Sequence, residues 1–288
     1  MRIISRFLAV AVLLPGLVLA KHPKIAPDLD GADPAAFVNV IVQFKHVPTD
    51  LDHQNVRSKD GSMNNSLELV KAGAYSMPAA NLRALADDPD VEFIHPDRPL
   101  GSSGWTGTLD YGWMTATGIG TAKGRLAYDG TGIGVALIDS GIDVYPDLKD
   151  SSSHSRIVYS QSFVRGDNNT GDAFGHGNHV AGLVGGNGSS SSSSKYTYMV
   201  RGIAPNANLI NLRALDKNGE GTDSSVIAAI QRAIALKQTY NIRIINLSLG
   251  RPVVASYLND PLCQAVEAAW NAGIVVVVAA GNEGRNNS

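Results

Sequence analysis

Four continuous apolar runs constrain this 288-residue chain more than any other feature: residues 133–138, 209–215, 242–247 and 274–280. Each is too short to span a bilayer and lacks the alternation of a strand with one wet face. Between them, apolar residues recur at helical spacing, as in Val226, Ile227, Ile230 and Ile234, or Leu262, Val266, Ala269 and Trp270. Buried strands alternating with amphipathic helices predict an α/β fold, a parallel sheet with helices on both faces. In such sheets ligands bind beyond the carboxyl ends of the strands, so chemistry is sought there.

The first hundred residues have a different rhythm. Arg2 and Arg6, the apolar stretch from Phe7 to Ala20 and the small residues of Val18-Leu19-Ala20 read as a signal peptide over residues 1–20. The expected destination is secreted, either extracellular or periplasmic, with no membrane association after cleavage. Residues 21–34 read as a linker. Val38, Val40, Val42 and Phe44 alternate as a half-buried strand, residues 46–66 read as loop-rich, and Pro78 is placed to open a helix running through Leu82 and Leu85. Val91-Glu92-Phe93-Ile94 forms a second strand that Pro96 ends. Residues 35–100 are therefore expected to form a small α+β module, marginal in stability by itself. Gly101–Gly104 is the boundary, and residues 105–288 form the larger domain. The serines of 189–194 read as a flexible surface insertion.

The net charge is −2 with no run of one sign, so the chain lacks the basic footprint that nucleic-acid binding needs. A monomer is expected. The single thiol, Cys263, has no intrachain partner, and its helical spacing with Val266 and Trp270 predicts a buried, unreactive side chain.

Three polar residues carry the chemistry. Asp139 follows the run Gly134-Val135-Ala136-Leu137-Ile138, which places a carboxylate at a strand's carboxyl end. His176 lies in Gly175-His176-Gly177-Asn178-His179-Val180-Ala181-Gly182. Alone, the first reads as a turn or cap and the second as structural. Together they form the base half of an acyl-transfer site, with the carboxylate fixing one imidazole nitrogen so that the other accepts a nucleophile's proton. A metal site formed by Asp139, His176 and His179 is the alternative, although no Glu or Cys stands at a metal-binding spacing. Asn282, just past the last apolar run, is either a turn residue or an amide donor to a developing oxyanion.

These segments resemble the subtilase family of serine peptidases. Asp139-Ser140-Gly141 is similar to its catalytic-Asp motif, residues 176–182 to its catalytic-His motif, and Asn282 to its oxyanion-hole Asn. Asn246-Leu247-Ser248-Leu249-Gly250 resembles the segment lining the primary specificity pocket, and residues 215–221 resemble the second peptide-binding edge. The resemblance thus implies a polypeptide substrate bound along Leu215, Gly219, Gly221, Ser248, Leu249 and Gly250. It also implies that residues 35–100 are an inhibitory propeptide, this chain's own intramolecular inhibitor, with cleavage between Leu100 and Trp105. No cofactor is required. Calcium is common in the family, and Asp147 resembles a ligand position.

The chain departs from the family pattern twice. Asn178 stands where the family usually has Thr. More seriously, no GTS-type motif follows Asn282, so the nucleophilic serine is absent from this sequence. In subtilisin itself, loss of the nucleophile costs about 10⁶ in turnover and loss of the oxyanion Asn about 10²–10³. The chain as written is expected to be a C-terminally incomplete, nearly inactive form of a secreted serine endopeptidase precursor. The other reading is an inert relative that binds peptides or inhibits a peptidase.

Overall fold

The computed structural model describes residues 22–29, 31–102, 129–196 and 199–281. The proposed signal peptide, part of the boundary segment and Asn282 lie outside the described residues.

The apolar runs become a five-stranded parallel sheet. Its strands are β6 (Gly134–Asp139), β7 (Ile157–Ser162), β8 (Asn208–Arg213), β10 (Ile242–Leu247) and β12 (Val275–Val278), in the order β12-β10-β6-β8-β7. Period-two alternation sends successive side chains of β6 to opposite faces. Val135 and Leu137 pack with Val180 and Ala181 of helix α3 (His176–Gly185). Ala136 and Ile138 pack with Val226, Ile230, Ala265 and Ala269 of helices α4 (Asp223–Tyr240) and α5 (Pro261–Asn271). Both faces of β6 are therefore dry, which is why it reads as a continuous apolar run.

Residues before 100 form a second sheet, antiparallel, of β1 (Phe37–Phe44), β2 (Ser62–Leu67), β3 (Ala72–Pro78) and β4 (Val91–Pro96), in the order β2-β3-β1-β4. One face covers its own core of Val40, Val42, Tyr75, Met77, Leu85 and Ile94. The other face lies against the core of the larger domain, contributing Ile41, Leu67, Ala72 and Ala74. That docking corrects the half-buried reading of β1, which is buried on both sides from Val40 to Phe44.

The loop-rich reading of 46–66 is also corrected. Helix α1 (Asp50–Arg57) begins there at a capping box in which Thr49 and Asp52 bond reciprocally, and β2 follows. The Pro78 helix begins later: Pro78 ends β3, a 3₁₀ turn spans Ala79–Asn81, and helix α2 covers Leu82–Ala86. Within 21–34, read as a linker, Ile25 bridges Ile94 and both Ala26 and Leu29 are buried. Cys263 is exposed because α5 turns Pro261, Ala265 and Ala269 inward instead. No described helix is long and apolar enough to cross a membrane.

Candidate active site

Asp139 ends β6 at the carboxyl edge of the sheet, where its side chain is 1% exposed. Nδ1 of His176 lies 2.7 Å from Asp139 Oδ1, joining residues 37 positions apart. The same oxygen accepts the backbone N–H of Ser140 at 2.7 Å. A carboxylate in this geometry holds the imidazole tautomer with its proton on Nδ1 and stabilises the ring when it becomes charged. The His176 side chain is 13% exposed, enough to meet a reactant at the sheet edge.

Local chemistry explains why α3 begins at His176. Gly175 has φ +99°, a left-handed conformation that suits glycine, and makes no side-chain cap. Asp172 supplies the cap from three residues earlier. Its Oδ1 accepts Gly175 N at 2.8 Å and Phe174 N at 3.2 Å, and its Oδ2 accepts Asn178 N at 2.7 Å. Ser140 Oγ donates to Asp172 Oδ1 at 2.8 Å and accepts Gly177 N at 2.9 Å, tying the turn after Asp139 to the start of α3. Sequence reading missed Asp172. The available signal was an acidic residue shortly before a helix start, the mark of an N-cap.

The predicted peptide-binding residues lie on two separate edges with a strand between them. Strand β5 (Pro99–Ser102) pairs antiparallel with β9 (Glu220–Thr222), setting Leu100 opposite Gly221, and with β11 (Leu249–Gly250), setting Ser102 opposite Leu249 and Gly101 opposite Gly250. Gly101 and Ser102, assigned to the boundary, are thus strand residues. Leu100 is 2% exposed, in the same apolar cluster as Leu215 and Leu249. Gly219 has φ +77°, and any side chain there would collide with the Phe174 ring. Ser248 does not line this strand pairing; its Oγ accepts the Asn246 amide at 2.9 Å. Leu215 reaches the carboxyl edge of the sheet through its backbone, donating to the Asp139 carbonyl at 3.1 Å.

Further polar contacts fasten the N-terminal module to this edge. Asp97 caps α4, accepting Ser224 N at 2.9 Å and Ser224 Oγ at 2.6 Å. His95 Nε2 meets Gln43 Oε1 at 2.9 Å, and Gln43 Nε2 donates to Gln264 Oε1 of α5 at 2.8 Å. Burial pushes the His95 imidazole down to about 4. Behind them Arg251 bridges Asp223 at 2.7 Å and Asp260 at 2.6 Å, all three side chains nearly inaccessible.

The two metal readings fare differently from the pair. Among the described residues the one His/Asp group close enough to share an ion is His46, Asp52 and Asp90 on the N-terminal module, so Asp139, His176 and His179 do not form such a group. Around Asp147 the donors do not fit calcium, which takes six to eight oxygens. Asp147 Oδ1 already accepts Ser189 Oγ at 2.8 Å and Ser190 N at 2.6 Å. The neighbouring carbonyls of Asp147, Gly185 and Ala207 all accept from the guanidinium of Arg156, which is 5% exposed. The start of the serine run is thus a fastened 3₁₀ turn and not a free insertion.

Residues 130–288 match the model of the subtilase family. Serine protease AprX of Bacillus subtilis (strain 168) is 40% identical over 160 residues, 54% of this chain and 34% of that protein. The thermophilic serine proteinase of Bacillus sp. (strain AK1) is 30% identical over 99% of this chain and 71% of its own length. Subtilisin E of Bacillus subtilis (strain 168) is 31% identical over 81% of this chain and 55% of its own. Among solved structures, fervidolysin from Fervidobacterium pennivorans shares the fold with a TM-score of 0.62 at 21% identity, over 86% of this chain and 40% of that one. The chain therefore spans between 34% and 71% of the length of these proteins. The match of residues 130–288 to the family model, together with relatives 30–31% identical over most of this chain, shows that this chain belongs to the subtilase family of serine peptidases.

Proposed function

We propose that this chain belongs to a secreted serine endopeptidase precursor, with Asp139 and His176 as the orienting acid and the general base. The observation that carries this reading is the 2.7 Å contact between His176 Nδ1 and Asp139 Oδ1 at the carboxyl edge of a parallel sheet. In the reaction, His176 Nε2 takes the proton of a serine hydroxyl as its oxygen attacks the peptide carbonyl, then returns it to the leaving amine. Asp139 stays hydrogen-bonded to the ring and stabilises its charged form. Asn282 donates to the oxyanion, and the serine comes from a segment that this sequence does not contain.

Residues 35–100 act as the inhibitory propeptide. Strand β5 occupies the place of a substrate, held on both sides by main-chain pairing with β9 and β11. By that register a good substrate presents an aliphatic side chain where Leu100 is buried and a small residue next, as Gly101 does. Leu215, Gly219, Gly221, Leu249 and Gly250 are the substrate-binding residues, and Ser248 supports their edge.

The test uses the complete protein, including the serine-bearing segment. It should hydrolyse unfolded protein and react with a fluorophosphonate, with both activities lost in His176→Ala. The 288-residue chain should not be labelled. Hydrolysis that survives His176→Ala but stops on metal chelation would refute this assignment.

A further inference from the structure

Asn178 lies two residues past His176 in the first turn of α3 and makes a reciprocal pair of side-chain bonds with Asp143. Its Oδ1 accepts Asp143 N at 2.7 Å, and its Nδ2 donates to Asp143 Oδ2 at 3.0 Å. Asp143 lies four residues past Asp139, on the far side of Gly141, whose φ is +119°. A glycine there leaves the turn weakly constrained by its own backbone. The contacts close a ring: along the chain from Asp139 to Asp143, across to Asn178, back along the helix to His176, and from His176 to Asp139. Asp143 Oδ2 also accepts Asp172 N at 3.3 Å, so the same carboxylate holds the segment that caps α3.

We propose that Asn178 and Asp143 are positioning residues that hold His176 in register with Asp139. This rests on reading Asp139 and His176 as the catalytic pair. A hydrogen bond weakens once donor and acceptor separate beyond about 3.2 Å, so the 2.7 Å contact reaches its limit after a drift of about half an ångström and a drift of about 1 Å at the helix start disengages the imidazole. Ser140 ties the helix to the turn before Gly141, and the Asn178–Asp143 clasp ties it after. The clasp restrains the helix start on the far side of the Ser140 tie and of the close Gly177–Gly141 approach, and so limits rotation about them. The amide suits the task because it presents an acceptor and a donor together, matching an N–H and a carboxylate on one residue.

The experiment follows the proton on His176 Nδ1 by NMR in the full 288-residue chain, labelled at histidine. Asn178→Thr keeps a hydroxyl able to accept and donate, whereas Asn178→Val has the same shape and can do neither. The expected result is slow exchange with water in the parent and N178T, and exchange about tenfold faster or a lost signal in N178V and Asp143→Ala. The double variant N178V/D143A should exchange no faster than either single one, because both remove the same clasp. Backbone signals of α3 report folding, and D143A gives the same reading should N178V not fold. Unchanged exchange in N178V with only a lowered melting temperature overturns the proposal, as does identical behaviour of N178T and N178V. The readout is the imidazole–carboxylate contact and not turnover. Loss of peptidase activity in the complete protein despite slow exchange would therefore count against the proposed function instead.

Discussion

Gly177 approaches Gly141 so closely that a β-carbon at position 177 would sit 2.1 Å from the Gly141 carbonyl oxygen. The helix carrying the imidazole is pressed directly onto the turn that follows the carboxylate. Gly177→Ala cannot be accommodated without moving one backbone off the other, since neither atom belongs to a flexible side chain. We expect it to cost about 2–4 kcal/mol of stability and to break the His176–Asp139 contact. Denaturant unfolding and the His176 Nδ1 proton signal check both parts.

The donor set around Arg156 and Asp147 leads to a prediction about calcium. Because a guanidinium occupies the carbonyls and the serine turn occupies one oxygen of the carboxylate, millimolar calcium or a chelator should shift the melting temperature equally in the parent and in Asp147→Asn. Arg156→Met should be destabilised by about 3 kcal/mol, because it leaves several buried carbonyl oxygens unpaired. A calcium-dependent rise in melting temperature that D147N abolishes would contradict this.

His95 gives the molecule an acid-sensitive joint. Its folded imidazole titrates at about 4, against an ordinary value of 6.5, because burial disfavours the charge. Between those values the unfolded chain binds a proton that the folded chain refuses, so stability falls as pH falls through that window. The loss approaches about 3 kcal/mol by pH 4. His95→Gln keeps a donor for Gln43 and has no proton to gain. Melting of both forms from pH 7 to pH 4 should show the parent losing more than the variant.

Leu100 anchors β5 in the groove with its side chain 2% exposed. Truncation to alanine removes buried methyl groups and leaves a cavity among Leu215, Leu249 and their neighbours. A loss of about 2–4 kcal/mol is expected, with faster amide hydrogen exchange concentrated in residues 99–102 and 220–222. Uniform loss of protection across the parallel sheet would argue against a local anchoring role.

The outer edge of the sheet carries a different liability. β12 is an edge strand with Val275, Val277 and Val278 about half exposed, beside Trp270 at 64%. Unpaired edges flanked by apolar side chains favour self-association. Val277→Lys should raise the concentration at which the 288-residue chain aggregates, measured by light scattering, without lowering its melting temperature by more than about 1 kcal/mol in equivalent stability.

The sequence by itself determined the parallel sheet and marked Asp139 and His176 as residues of its carboxyl edge. Continuous apolar runs have few physical solutions, and Asp139 and His176 sit at fixed offsets from a strand end and a helix start. It also marked both edges that grip β5, through the segments around Gly221 and Leu249. Only the tertiary structure decided what lies between and behind those points. Whether β1 is half or wholly buried depends on a second surface that periodicity cannot see, and the same holds for Cys263, whose helix turned its small residues inward. Asp172 and the Asn178–Asp143 clasp act through contacts between segments 29–35 residues apart or on opposite sides of a turn. Polar side chains of this kind look like ordinary loop residues until the backbone brings their partners within 3 Å or so, because hydrogen-bond strength depends on distance and angle and not on residue type.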